Sequence, residues 1–349
     1  MNKALPASPT PTSSVLVLPD DERIDADVKR NLAALVRDKN AFADNTWSSF
    51  ESVISLWARW CADKKLQWLP IEAESMREYL MEMHTNGLSV ATVRQHYSMM
   101  CKLHRHAGLP SLVDNPAVNL AMKNITRTAV QGGERTGQAI PFRLRDLHQL
   151  AQAYGMSKDL ADKRDLAFLS VAYNTLLRIS ELSRVTLRDV ENGPDGRYVL
   201  RIGYTKTTLT PDGVVRTLSK DVSRRLKNWI DASGITDQDQ YIFCPVDRWG
   251  KPRLKAKSPL TNAAMEKIFS RAWRMIRGLP GEPDDKGRYA VWTGHSARVG
   301  AAQDMTASGS SLANVMKQGG WKRVDMVMRY IRNLEDADND LNRMLEGDR

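Results

Sequence analysis

Apolar residues recur at steps of three and four along almost the whole chain, and only one stretch, between Arg188 and Leu218, alternates. A period of 3.6 buries one stripe of a helix, whereas alternation buries one face of a strand, so this contrast restricts the fold strongly. Ile24, Val28, Leu32, Leu35 and Val36 share one helical face. Trp47, Phe50, Ile54, Trp57 and Cys61 make a second, with Asn45 or Thr46 placed to cap it. A third helix is expected from Glu72, burying Met76, Tyr79, Leu80 and Met83. A fourth follows Gly87-Leu88-Ser89 with Val93, Tyr97, Met100 and His104, and a short fifth follows Pro116. Short connections between such helices predict a compact helical domain over residues 21–130. Residues 1–20, rich in Pro, Ser, Thr and Ala, are expected to be a disordered tail.

The helical pattern is expected to break from Thr126 to Gly137, and residues 131–137, with Gly132, Gly133 and Gly137, read as a linker. A second domain, 138–349, opens with a helix over Leu144–Tyr154, and another from Asp159 to Ser183 carries Arg178. Arg188-Asp189-Val190, Tyr198–Ile202 and Val214–Leu218, separated by turns at Gly193-Pro194-Asp195-Gly196 and Pro211-Asp212-Gly213, predict a three-stranded antiparallel sheet. Lys206 falls in its second hairpin. The fold class is therefore mainly α with a small antiparallel sheet (α+β).

A net charge of +10 points to a polyanionic partner without choosing among DNA, RNA and anionic lipid. Cys61, Cys101 and Cys244 are odd in number and widely spaced, so no disulfide framework is expected and a reducing compartment fits. The histidines form no ligand pattern, so no metal is expected. No apolar run is long enough to span a membrane, and Val15-Leu16-Val17-Leu18 is too short for a signal-peptide core. A soluble, cytoplasmic protein is expected.

Against this background one constellation stands out. Gly294-His295-Ser296-Ala297-Arg298 is followed by Gly319-Gly320-Trp321 and then Tyr330, and Arg178 with Glu181 lies far upstream. Cleaving a phosphodiester without a metal needs a nucleophile, cations on the non-bridging oxygens, a proton donor for the leaving oxygen and fixed geometry. Tyr330 offers a phenol that can form a phosphoester, and Arg178 and Arg298 offer guanidinium forks that suit phosphate. The i, i+3 spacing of Arg178 with Glu181, and of His295 with Arg298, is expected to put each pair on one helix face. Ala297, Gly300, Ala301 and Ala302 leave room for close packing beneath them. Lys206, on a hairpin, can reach a scissile phosphate as general acid. Singly, each residue has an ordinary reading: core tyrosine or tryptophan, salt bridge, capping histidine, solvated lysine. The joint pattern in this order favours chemistry.

The blocks Ala172-Tyr173-Asn174-Thr175-Leu176-Leu177-Arg178-Ile179, Thr205-Lys206-Thr207, Trp292-Thr293-Gly294-His295-Ser296-Ala297-Arg298-Val299-Gly300-Ala301-Ala302 and Met328-Arg329-Tyr330-Ile331-Arg332-Asn333-Leu334 resemble the tyrosine recombinase (phage-type integrase) family. The resemblance runs from about residue 28 to 346 and is densest in the second domain. It implies a two-domain C-shaped DNA clamp, an N-terminal helical bundle joined to a catalytic domain. It implies site-specific recombination at inverted-repeat sites through a 3′-phosphotyrosyl link and a Holliday junction, without ATP, metal or other cofactor. Tyr330 would attack, Arg178, His295 and Arg298 would hold the phosphate, and Trp321, where many relatives have histidine, would donate its indole N–H. Lys206 would protonate the leaving 5′-oxygen, and Glu181 matches the family's acidic position. A homotetramer on two DNA sites is implied, with the segment Asp340-Leu341-Asn342-Arg343-Met344-Leu345 docking as a helix onto a neighbouring protomer. Only a short tail precedes the first helix, so no accessory protein is expected.

The same resemblance places DNA-reading positions on the helices near 46 and 90 and at Ala263 and Glu266. Ser48, Ser49, Ser52, Ala91, Gln95 and His96 would face the groove, Ser48 and Ser49 standing where the pattern has lysine and methionine. Ala91 replaces another lysine, and Ala263 an arginine that reads guanine. Such a fork on guanine discriminates by about 1–3 kcal/mol, so a different preferred site is expected. Arg105, Lys123, Arg248, Lys251, Arg253, Lys255 and Lys257 are candidates for phosphate contacts. Two other classes share these features: a type IB topoisomerase, which relaxes supercoils, and a non-catalytic DNA-binding regulator.

Overall fold

The computed structural model describes residues 24–135, 137–193, 195–203, 213–254, 258–278 and 290–335. Lys206, Lys255, Lys257, the expected tail and the expected docking segment 340–345 lie outside them. The chain divides into two units, Met1–Thr136 and Gly137–Arg349.

In the first unit, α1 (Ala26–Arg37), α2 (Asp44–Asp63), α3 (Ala73–Thr85), α4 (Val90–Ala107) and α5 (Pro116–Gln131) enclose one core. The predicted faces are the buried ones: Trp47, Phe50, Ile54, Trp57 and Cys61 of α2 all point inward. Trp57 stacks on Trp60 at 5.3 Å and donates its indole N–H to the carbonyl of Trp68 at 2.9 Å. Two expectations need correction. The cap residue of α2 is Ala43, because Asn45 and Thr46 already lie in its first turn. Helix α5 also continues through the expected break at Thr126, since Ile125 and Ala129 keep to its buried face. Glu134, in the expected linker, accepts from the backbone N–H of Val90 at 3.1 Å.

Two histidines of α4 are buried and polar-satisfied. His104 accepts from Ile71 N–H through Nε2 at 2.7 Å, and its Nδ1 lies 2.9 Å from the carbonyl of Pro110. His96 Nδ1 pairs with the Tyr79 hydroxyl at 3.0 Å. Burial pushes both imidazoles down, His96 to about 4. Above the ordinary histidine value, His96 is neutral in both the folded and unfolded chain and its ionisation does not affect stability. Below it the unfolded chain takes up a proton that the folded chain resists, so stability falls until the folded value is reached. Acidification from pH 7 to 4 should remove up to about 3 kcal/mol through His96. Urea midpoints of the wild type and of His96→Gln at pH 7 and 4.5 check this: the acid-induced drop should be smaller in the variant. An equal drop in both would remove His96 as its source.

In the second unit, α6 (Leu144–Gly155), α7 (Leu160–Thr175) and the short α8 (Ile179–Leu182) precede the sheet. Strands β1 (Val190–Asn192), β2 (Tyr198–Ile202) and β3 (Val214–Thr217) pair antiparallel in the order β1-β2-β3, in the region read as alternating. Then come α9 (Lys220–Ser233), α10 (Asn262–Arg277), α11 (Ser296–Ala307), α12 (Leu312–Gly319) and α13 (Val324–Glu335). The main core gathers Phe142, Phe168, Trp229, Phe243, Phe269 and Trp292, all fully buried. A smaller cluster, rich in methionine, holds Leu176, Ala301, Ala302, Val315, Trp321, Val327 and Ile331, with Met305, Met316, Met326 and Met328 around it. Among the described residues no helix is long and apolar enough to cross a membrane.

The small residues of α11 serve as expected. A Cβ on Gly300 would overlap the backbone of Phe142, whose N–H donates to the carbonyl of Ser296 at 3.0 Å. Gly300→Ala should therefore cost about 1–3 kcal/mol by overpacking. Chemical denaturation of the full chain checks it; an unchanged midpoint would mean that α11 can shift without penalty.

Candidate active site

The site begins at a break in the chain. The expected helix from Asp159 to Ser183 is two helices, because Leu176 adopts a left-handed conformation (φ 52°) that ends α7. Such a conformation costs a non-glycine residue about 1–3 kcal/mol and persists where the surroundings enforce it. Here the Leu176 side chain is buried in the methionine-rich cluster, and Thr175 Oγ1 accepts from Leu177 N–H at 3.4 Å. Arg178 consequently lies outside the helix, as the cap residue of α8. It does not share a helix face with Glu181. Instead Glu181 accepts from the Arg178 backbone N–H at 3.0 Å and from its Nη1 at 2.8 Å. The carboxylate is 7% exposed and the guanidinium 25%, so the arginine is gripped from beneath with part of its fork open.

His295 departs from expectation in the same way: it is the cap residue of α11, not part of it. Its side chain opens to solvent while protein surrounds it on the other sides. That surrounding mass, followed by the positive charges of Arg298 and Arg178, holds its imidazole below the ordinary value. The turn before it is fixed by Glu266, whose two oxygens each lie 3.1 Å from the Gly294 N–H. A Cβ on Gly294 would overlap Ile179, so glycine lets this turn sit against α8.

Arg298 is 3% exposed. Its Nη1 donates to the carbonyl of Leu176 and its Nη2 to that of Gly319 at 3.0 Å. The guanidinium lies 4.8 Å from the ring centroid of Trp321, close enough for a cation–π contact. Burial lowers its proton affinity, and the neighbouring Tyr330 phenol opposes that effect; an arginine remains charged at neutral pH regardless. Trp321 is placed by Gly319 and Gly320. A side chain on Gly319 would overlap the indole, and Gly320 ends α12 with φ 65°. The rings of Trp321 and Tyr330 are 5.1 Å apart. Tyr330, half-buried on α13, has its carbonyl oxygen held by Gln138 Nε2 at 2.9 Å and Gln303 Nε2 at 3.1 Å.

The structure thus brings Arg178, Glu181, His295, Arg298, Trp321 and Tyr330 together. Among the positions read as facing DNA, Ser48, Ser52, Ala91, Gln95 and Ala263 are exposed and Ser49 is partly so. His96, by contrast, is buried against Tyr79, and the half-buried Glu266 accepts from the Gly294 N–H. Sequence reading missed Gln138, Gln303 and Arg216. Only Arg216 left a signal, as a charge at an inward-facing strand position opposite Leu200.

Tyr330 on α13, the capped Arg178 and the buried Arg298 under an indole thus lie together beside a three-stranded sheet. The chain belongs to the phage integrase family of tyrosine recombinases, whose sequence pattern matches residues 117–336. Within it the chain is Cre-like: it is 41% identical to the recombinase Cre of Escherichia phage P1 over 331 residues, 94% of this chain and 95% of that protein. Two solved structures share the fold. The Tn1549 transposon integrase in complex with circular intermediate DNA gives a TM-score of 0.58 at 14% identity, covering 89% of this chain and 99% of that one. The XerH site-specific recombinase in a post-cleavage complex with palindromic difH substrate gives 0.54 at 16% identity, covering 90% and 83%.

Proposed function

We propose that the chain cuts and rejoins duplex DNA at an inverted-repeat site through a tyrosine-linked intermediate. The observation that carries this reading is the cluster of Arg178, His295 and Arg298, with Arg298 and Trp321 beside Tyr330. The phenolic oxygen of Tyr330 attacks phosphorus and the bond to the 5′-oxygen breaks, leaving a 3′-phosphotyrosyl link. The phenol proton leaves to solvent, His295 holds the phosphate together with the two arginines, and Lys206 gives a proton to the leaving 5′-oxygen. Arg178 and Arg298 meet the charge that builds on the phosphoryl oxygens, and the Trp321 indole N–H adds a neutral donor. One phosphoester replaces another, so ATP is not consumed and no cofactor is required. Attack by a 5′-hydroxyl from a second site completes the exchange through a Holliday junction.

Two sites exchanging two strand pairs call for four tyrosines, hence a homotetramer, with segment 340–345 docking in trans. The exposed faces of α2 and α4, at Ser48, Ser49, Ser52, Ala91 and Gln95, and Ala263 at the start of α10, are the base-reading positions. No accessory protein enters this scheme, and the setting is the bacterial cytoplasm and nucleoid.

The test is a library of nicked duplexes with randomised inverted repeats, incubated with the protein and sorted for adducts that survive SDS. Adducts converging on one inverted repeat are expected. Adducts without sequence preference, together with relaxation of a plasmid lacking the site, would transfer the chain to the topoisomerases. Sequence-specific binding without adducts would make it a regulator.

A further inference from the structure

Three successive carbonyls at the end of α7 are claimed by three side chains from elsewhere. Asn174 O accepts from Gln318 Nε2 at 3.2 Å, Thr175 O from Arg216 Nε at 3.3 Å, and Leu176 O from Arg298 Nη1. The end of α12 is held by the same two arginines, Gln318 O by Arg216 Nη2 at 2.9 Å and Gly319 O by Arg298 Nη2 at 3.0 Å. Arg216 and Arg298 are thus parallel rungs, one residue apart on both helices. Carbonyls at a helix C-terminus lack intrahelical partners and carry partial negative charge, so a guanidinium bridging two such ends satisfies both. Burial works against the charge of Arg216, and Glu181 supports it. The outer rung comes from β3.

We propose that Arg216 is a positioning residue for the recombination chemistry: it fixes the ends of α7 and α12 so that Arg298, Trp321 and Arg178 hold their places. It touches no substrate in this scheme. Its rung sets the spacing of Leu176 and Gly319, the two residues whose carbonyls aim the Arg298 fork. Loss of the rung leaves Arg298 bonded but free to shift with the helix ends.

This inference rests on the recombinase reading, and its test keeps the two apart. The full-length protein, Arg216→Ala and Arg216→Lys are compared on a nicked duplex carrying the site recovered from the library. The readouts are single-turnover adduct formation at saturating protein, DNA affinity by gel shift, and folded fraction by circular dichroism. Misplacing a catalytic group by about 1 Å can cost a hundredfold in rate, so Arg216→Ala should lose about ten- to a hundredfold in adduct rate per folded molecule with affinity within about twofold. Arg216→Lys, which keeps the charge but replaces the two donating nitrogens with one, should fall between, and added guanidinium ion should restore part of the Ala variant's rate. A rate per folded molecule equal to wild type in Arg216→Ala overturns the proposal, as does a loss confined to affinity. If Ala does not fold, a wild-type rate in folded Arg216→Lys overturns it equally. Failure of the wild type itself to form adducts would overturn the recombinase reading instead.

Discussion

Phenylalanine in place of Tyr330 is expected to abolish covalent capture of DNA, by about ten-thousandfold or more, while DNA binding stays within about twofold. Removing the attacking group of a concerted site typically costs this much or more. The ring itself is retained, so the contact with Trp321 and the packing of α13 survive, and stability should change by less than about 1 kcal/mol. SDS-resistant adducts of wild type and Tyr330→Phe, scored beside gel-shift affinities on one duplex, decide it. Undiminished adducts in the variant would mean that another residue attacks, and equal loss of binding would mean that the substitution disturbs more than chemistry.

Arg298→Ala should do two kinds of damage at once. The guanidinium is the partner of the Leu176 and Gly319 carbonyls in a buried setting, so its removal should lower unfolding free energy by about 2–5 kcal/mol. Loss of one charge-stabilising donor set should also slow adduct formation by about a hundred- to a thousandfold in molecules that remain folded. Arg298→Lys retains the charge but cannot fork to two carbonyls, so it should recover part of the stability and less of the rate. Denaturant midpoints with single-turnover rates per folded molecule separate the effects. A stable Arg298→Ala with a tenth or more of the wild-type rate would remove Arg298 from the chemistry.

How legible this was in the sequence depended on the kind of signal. Helix faces were readable because burial of Trp57, Leu80 or Met100 leaves a periodic trace, and the sheet because β2 alternates. The identities of Arg178, His295, Arg298, Trp321 and Tyr330 were readable because their order and spacing match a family. Their local geometry was not. Spacing placed Arg178 and His295 on helix faces, yet both are cap residues. The break that makes Arg178 a cap is a left-handed leucine, and a leucine carries no turn signature; its side chain's tertiary burial decides the matter. Periodicity likewise could not say that Thr126–Gln131 stays helical, because threonines are permitted on an exposed helix face. His96 and Glu266 were read as outward on resemblance. Both are taken up by partners distant in sequence, Tyr79 and Gly294, which a local pattern cannot contain. Gln138 and Gln303 escaped for the same reason.

The two apolar clusters of the second unit are separate, and this governs how locally it can open. The helix bearing Tyr330 rests through Val327 and Ile331 on the small methionine-rich cluster, while the sheet, α9 and α10 are secured by the large one. Opening α13 therefore exposes few side chains and leaves the larger core intact. In the language of hydrogen exchange, its amides belong to a shallow cooperative unit, exchanging through local excursions well before the rest of the unit unfolds.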